Sequence, residues 1–163
     1  WISDKFFGGR AEQYRKDHLA DALMKIPYMV CVDEFQHKVF ENPEMTAMER
    51  RAVWSGLEKI YMPWRNYAGN EFLESGAFWI KQQHIFLYPF YYVDYAMAQM
   101  GAFEFYTKMK EDRKAAWADY YKLCAAGGSM GYFDLLKYSG LHKVLEDGSV
   151  KIILKGVFEE LGL

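Results

Sequence analysis

Nowhere in the 163 residues do apolar and polar side chains alternate over the length of a strand, whereas apolar residues at helical spacing recur almost from end to end. A chain with the 3.6-residue period and without the 2-residue period has no sheet to build. It must bury its apolar stripes helix against helix, so the expected fold is all-α, with roughly seven helices packed around one another. At this length the chain is one domain's worth of protein, large enough for a substantial core, and it carries no internal repeat.

The punctuation divides the pattern. The opening, from Trp1 through Gly8 and Gly9, reads as an aromatic loop, and a helix then runs from Ala11 to Ile26, where Pro27 breaks or restarts it. Met29, Val32, Phe35, Val39 and Phe40 mark a second helix that stops before Pro43. Thr46 and Glu49 have the spacing of a capping box, opening a helix that ends near Pro63. From Trp64 to Gly76 periodicity fades, and a loop with one short turn of helix is expected. A helix over Asp112 to Ala126 presents Ala116, Trp117, Tyr120 and Leu123. Gly127 and Ser129 read as a C-cap followed by an N-cap, and Ser149 as the N-cap of a last amphipathic helix.

Between Tyr61 and that region lies the chemically richest stretch, QQHIFLYPFYYVDYAMAQMGAFEF, from Gln82 to Phe105. Pro89 suits a first helical position, which puts His84 on the entry loop and Tyr91 and Tyr95, and also Tyr92 and Tyr95, on shared faces. Each phenol buried in such a helix needs a hydrogen-bond partner, so the tyrosines either build a site or reach solvent or backbone from a buried helix. A membrane span is disfavoured, because Asp94 would sit near the middle of the apolar run.

The formal charge of −2 with mixed signs offers no basic stripe, which argues against a nucleic-acid partner. Cys31 and Cys124 fit neither a CxxC site nor a disulfide framework and suit a reducing, cytoplasmic compartment. The chain opens on Trp1 without an initiator Met or a basic leader, as a piece cut from something longer would. None of the four histidines, His18, His37, His84 and His142, belongs to an HExxH helix. Glu34 and His37 form one ExxH pair, but a di-iron site of the four-helix type needs a second ExxH, which does not occur. Gly127-Gly128-Ser129 lacks the strand and lysine of a phosphate loop, and no serine or cysteine stands in a nucleophile motif.

Taken as blocks in order, KIPYMVCVDEFQHKVFENPEMTAMER, LEKIYMPWRNY, WIKQQHIFLYPFYYVDYAMAQMGAFEF and LCAAGGSMGYFDLLKYSGL resemble the C-terminal part of the oligoendopeptidase F family, zinc metallopeptidases related to thimet oligopeptidase. The resemblance runs from about Trp1 to Gly148, with HKVLEDG departing from the family's usual Pro-Phe pair before the acidic turn. It implies that residues 1–163 are a single helical segment of a zincin-type catalytic domain, and that the zinc ligands of HExxH and the following glutamate lie upstream. This chain would then bind no metal, would be inactive alone, and would meet short peptide substrates together with the N-terminal remainder of the same peptidase. The resemblance assigns His84, Tyr91 and Tyr95 catalytic donor roles toward the oxyanion, and Tyr88 and Tyr92 roles in substrate binding. A helical interaction module that kept the fold without the chemistry is the alternative reading.

Overall fold

The computed structural model describes residues 2–163, and every regular element among them is helical. In chain order these are α1 (Ile2–Phe7), α2 (Ala11–Glu41), α3 (Ala47–Tyr61), α4 (Gln83–Leu87), α5 (Val93–Glu111), α6 (Arg113–Ala126), α7 (Tyr132–Tyr138) and α8 (Ser149–Leu161). Short 3-10 turns cover Gly8–Arg10 and Phe78–Lys81, and a π turn covers Leu73–Ala77. No described helix is long and apolar enough to cross a membrane. The chain divides into two compact units, one made of the residues up to Ala22 together with Met97–Leu163, the other of Leu23–Ala96.

The unit of Leu23–Ala96 is built on a stripe of α2. Tyr28, Cys31, Val32, Phe35 and Val39 recur every three or four residues and face Trp54 and Leu57 of α3, Met62 and Ile85. Trp54 is fully buried and takes Phe35 edge-on at 5.3 Å and Tyr28 edge-on at 6.2 Å. Each such aromatic pair adds about 1 kcal/mol beyond the area it buries. This packing explains why Pro27 does not break the chain into two helices, as its ring suggested: α2 runs unbroken for 31 residues with Pro27 inside. Proline within a helix costs about 3 kcal/mol, and the burial of Tyr28, Cys31, Val32 and Phe35 just beyond it offsets that.

Thr46 and Glu49 form the reciprocal capping box at the start of α3, with the Thr46 N–H donating to Glu49 Oε2 at 2.7 Å. The stretch read as a loop with one short helical turn, from Trp64 to Gly76, has that turn near its end, in the π turn, which docks on α3. Gly76 makes this possible: at φ 85°, it lies so near α3 that a Cβ would collide with the Arg51 carbonyl. Inside the same unit the carboxylate of Glu58, 7% exposed, gathers the Trp54 indole N–H at 3.3 Å, the Tyr67 hydroxyl and the Arg65 guanidinium at 3.5 Å.

In the other unit, Phe105, Leu136 and Leu141 form a buried cluster, while Ile153, Leu154 and Val157 are the buried stripe of α8. Glu104, also 7% exposed, accepts the His142 backbone N–H at 3.0 Å and pairs with its Nδ1 at 2.6 Å. Lys108 bridges Asp119 at 2.8 Å and the Gly140 carbonyl at 2.9 Å.

Several boundaries differ from the sequence reading. The opening is helical over Ile2–Phe7 rather than a loop; Trp1, read as part of that loop, lies outside the described residues. Gly127 does cap α6, but α7 starts after Gly131 rather than Ser129. Gly148, at φ 82°, stands at the N-cap of α8, with Ser149 buried as its first residue. On α6 only Ala116 is buried, while Trp117 and Tyr120 are exposed.

Candidate functional site

His84 lies on α4, a single turn that closes when the Tyr88 N–H returns to the His84 carbonyl at 2.9 Å. The expected helix start at Pro89 is displaced. Pro89 to Tyr92 form a turn, and α5 begins at Val93, so Tyr91 and Tyr92 reach their neighbours from a loop and not from a helical face. The cause is Phe90, a non-glycine residue at φ 63°. That conformation costs an L-residue about 1–2 kcal/mol and persists only where its surroundings impose it. Here the Phe90 N–H donates to Oε1 of the buried Gln36 at 3.0 Å, and its ring packs 4.9 Å from both His37 and Phe40.

The turn folds the tyrosines around the imidazole. Ring centroids of Tyr92, Tyr95, Tyr91 and Tyr88 lie 4.8, 5.8, 6.3 and 6.5 Å from that of His84, and Tyr91 is nearly parallel to it, at 21°. The tyrosines divide by environment. Tyr92 packs on the core and edge-on against Tyr28 at 5.9 Å, and burial pushes its phenol pKa up. Tyr88, Tyr91 and Tyr95 are exposed. A hydrogen bond with Tyr91 is the main cause that raises the Tyr95 phenol, so Tyr95 remains a protonated O–H donor at neutral pH.

Two residues that the sequence did not single out support His84 from behind. Gln82, in extended backbone between the 3-10 turn and α4, places Nε2 2.6 Å from His84 Nδ1. Its Oε1 accepts the Tyr28 hydroxyl at 2.8 Å, from a position 54 residues earlier in the chain. No sequence pattern announces such a pairing, and Gln83 beside it is exposed.

The other histidines go elsewhere. His37 sits 3.5 Å from Asp33, His142 on Glu104, and His18 stacks on Tyr14 at 5.9 Å. Glu34, the other half of the ExxH pair, accepts from Tyr61 at 2.6 Å and pairs with Lys38 at 3.1 Å, so the two members serve different partners. Among the described residues no three His, Cys, Asp or Glu side chains group as a metal site would require. Cys31 is buried, which raises its thiol pKa to about 12, and Cys124 is exposed; both are free.

What this arrangement can do is donate hydrogen bonds. An imidazole and exposed phenols clustered on one short segment suit a developing negative charge or a peptide carbonyl. No protein-family model and no curated protein matches the chain. Solved structures do. An oligoendopeptidase F is 47% identical with a TM-score of 0.91, PZ peptidase A in complex with an inhibitor is 45% identical with a TM-score of 0.91, and an oligoendopeptidase F from Bacillus anthracis str. Ames is 35% identical with a TM-score of 0.76. Each alignment covers 96% of this chain, which spans only 28%, 28% and 24% of the respective relatives. With that identity maintained over nearly all of its length and the same all-helical fold, the chain belongs to the oligoendopeptidase F family.

Proposed function

We propose that this chain is the C-terminal part of a zinc-dependent oligoendopeptidase, forming one wall of the peptide-binding cleft and supplying hydrogen-bond donors to the substrate. The observation that carries the proposal is the cluster itself: His84 ringed by four tyrosines, of which Tyr91 and Tyr95 are exposed. When a nucleophile attacks a peptide carbonyl, negative charge grows on the oxygen, and donors aimed at that point in a sequestered cleft stabilise it by about 3 kcal/mol each. His84 and the phenols of Tyr91 and Tyr95 are those donors. Tyr88, the most exposed of the four, contacts substrate, while Tyr92 shapes the pocket floor through its packing on Tyr28. The zinc and its HExxH ligands belong to the portion of the peptidase outside this chain.

The surface agrees with a chain that is completed by more protein. In the unit of Leu23–Ala96 alone, Met48, Ile60, Trp64, Phe72, Phe86 and Leu87 are all more than half exposed. That much apolar surface is costly to leave in water and favours a covered wall over a self-contained interaction module.

The test joins this chain to the upstream portion of the 47% identical relative, in place of the segment it matches, and follows hydrolysis of a short fluorogenic peptide. The chimera should cleave, the isolated chain should not, and His84→Ala should lower kcat/KM by about tenfold or more. A folded, zinc-loaded chimera whose rate ignores His84→Ala would remove His84 from the mechanism.

A further inference from the structure

We propose that Gln82 and Tyr28 are positioning residues that hold His84 in a single neutral tautomer, with the proton on Nε2, so that the imidazole is preset as a donor. The inference rests on the donor role proposed above and adds the device that sets it.

Gln82 uses the two ends of its amide for two partners. The oxygen accepts the Tyr28 hydroxyl at 2.8 Å, and the nitrogen lies 2.6 Å from His84 Nδ1. An amide nitrogen can only donate, so Nδ1 must offer its lone pair, and a neutral imidazole with Nδ1 unprotonated carries its hydrogen on Nε2. Tyr28 decides which way the amide faces. Its hydroxyl hydrogen is delivered to Gln82 Oε1; turning the amide over would let NH2 donate to the phenol oxygen but leave that half-buried hydroxyl hydrogen without this acceptor.

Tyr28 is itself immobilised. Trp54, Phe78 and Tyr92 meet its ring edge-on at 6.2, 6.1 and 5.9 Å, and Arg65 lies 5.5 Å from the ring centroid. Burial pushes its phenol pKa far upward, so it stays a protonated donor over the working range of a peptidase. The orientation of the imidazole is therefore set by α2, through a residue 54 positions upstream of the amide. An imidazole that spent half its time as the Nδ1–H tautomer would present a lone pair, not a hydrogen, to a developing oxyanion.

The measurement is ring 15N NMR of the full chain that carries this sequence, labelled at histidine, with His84→Asn assigning the signals. Wild type should show a protonated Nε2 and an unprotonated Nδ1. Gln82→Leu and Tyr28→Phe should relax this toward a mixture. Gln82→Glu, whose carboxylate can only accept, should put a proton on Nδ1. In the chimera described above, Gln82→Glu should lower kcat/KM by about tenfold, the usual scale when an outer partner that orients a histidine is lost. A protonated Nδ1 in wild type, or an unchanged tautomer in both Gln82→Leu and Gln82→Glu, overturns the inference. The expected tautomer pattern together with a rate indifferent to His84→Ala would overturn the donor role and leave the relay standing.

Discussion

The sharpest structural prediction concerns Gln36→Leu. Gln36 is 1% exposed, and its Oε1 accepts the N–H of Phe90, the residue held at φ 63°. Leucine keeps the volume and removes the acceptor. An N–H left unpaired costs about 1–3 kcal/mol. If the turn then relaxes, the 1–2 kcal/mol or so of left-handed strain at Phe90 is partly recovered. The two nearly compensate at the low end, and leucine also removes the buried, unpaired Gln36 Nε2, so the expected loss of global stability runs from near zero to about 2 kcal/mol, read as a shift of the urea midpoint at constant slope. The local effect is cleaner. Hydrogen exchange at the Phe90 amide should accelerate about tenfold or more, the equivalent of 1.4 kcal/mol, while the Ile85 amide, bonded to the Gln82 carbonyl at 3.1 Å, keeps its protection. Placing the same substitution in a Phe90→Gly background isolates the cause. Glycine adopts φ 63° without strain, so nothing is recovered when the turn relaxes, and Gln36→Leu should cost more there than with phenylalanine present. Equal costs in the two backgrounds, or an unchanged exchange rate at Phe90, would refute the idea that Gln36 imposes the turn.

Two further perturbations probe the same unit. Glu58→Ala strips the acceptor from the Trp54 indole and the Tyr67 hydroxyl and leaves Arg65 without its carboxylate; it should cost about 3–5 kcal/mol in urea unfolding, with Glu58→Ala/Arg65→Met less damaging than Glu58→Ala alone. The opposite order would mean that the charge pair contributes nothing. Burial is the main cause that raises the Asp33 carboxyl, helped by the charge of Asp94 and opposed by His37. A carboxyl whose folded pKa exceeds its unfolded value binds its proton more tightly when folded, so its favourable contribution is complete below the unfolded pKa of about 3.9 and disappears as pH rises through the folded value. Asp33→Asn should consequently stabilise the protein more at pH 7 than at pH 3, measured by thermal unfolding at both; a larger gain at pH 3 would contradict the burial argument.

What the sequence determined by itself is local. The all-α class follows from the 3.6-residue period, the start of α3 from the Thr46 and Glu49 pair, and the end of α6 from Gly127, because each depends on residues within a turn or two of one another. The members of the candidate site were legible for the same reason, since His84, Tyr88, Tyr91, Tyr92 and Tyr95 fall within one short stretch whose composition is hard to explain as core alone. Their geometry was not legible. Helical spacing predicted a face shared by Tyr91 and Tyr95, and the rings do meet, at 5.2 Å, but across a turn that no local propensity would choose for Phe90. Only tertiary structure decided that turn, the passage of α2 through Pro27 and the alignment of Tyr28, Gln82 and His84. In each case a local cost is carried by burial or hydrogen bonding from a distant part of the chain, and the free energy of such a contact belongs to the packed pair and not to either residue's neighbours in sequence.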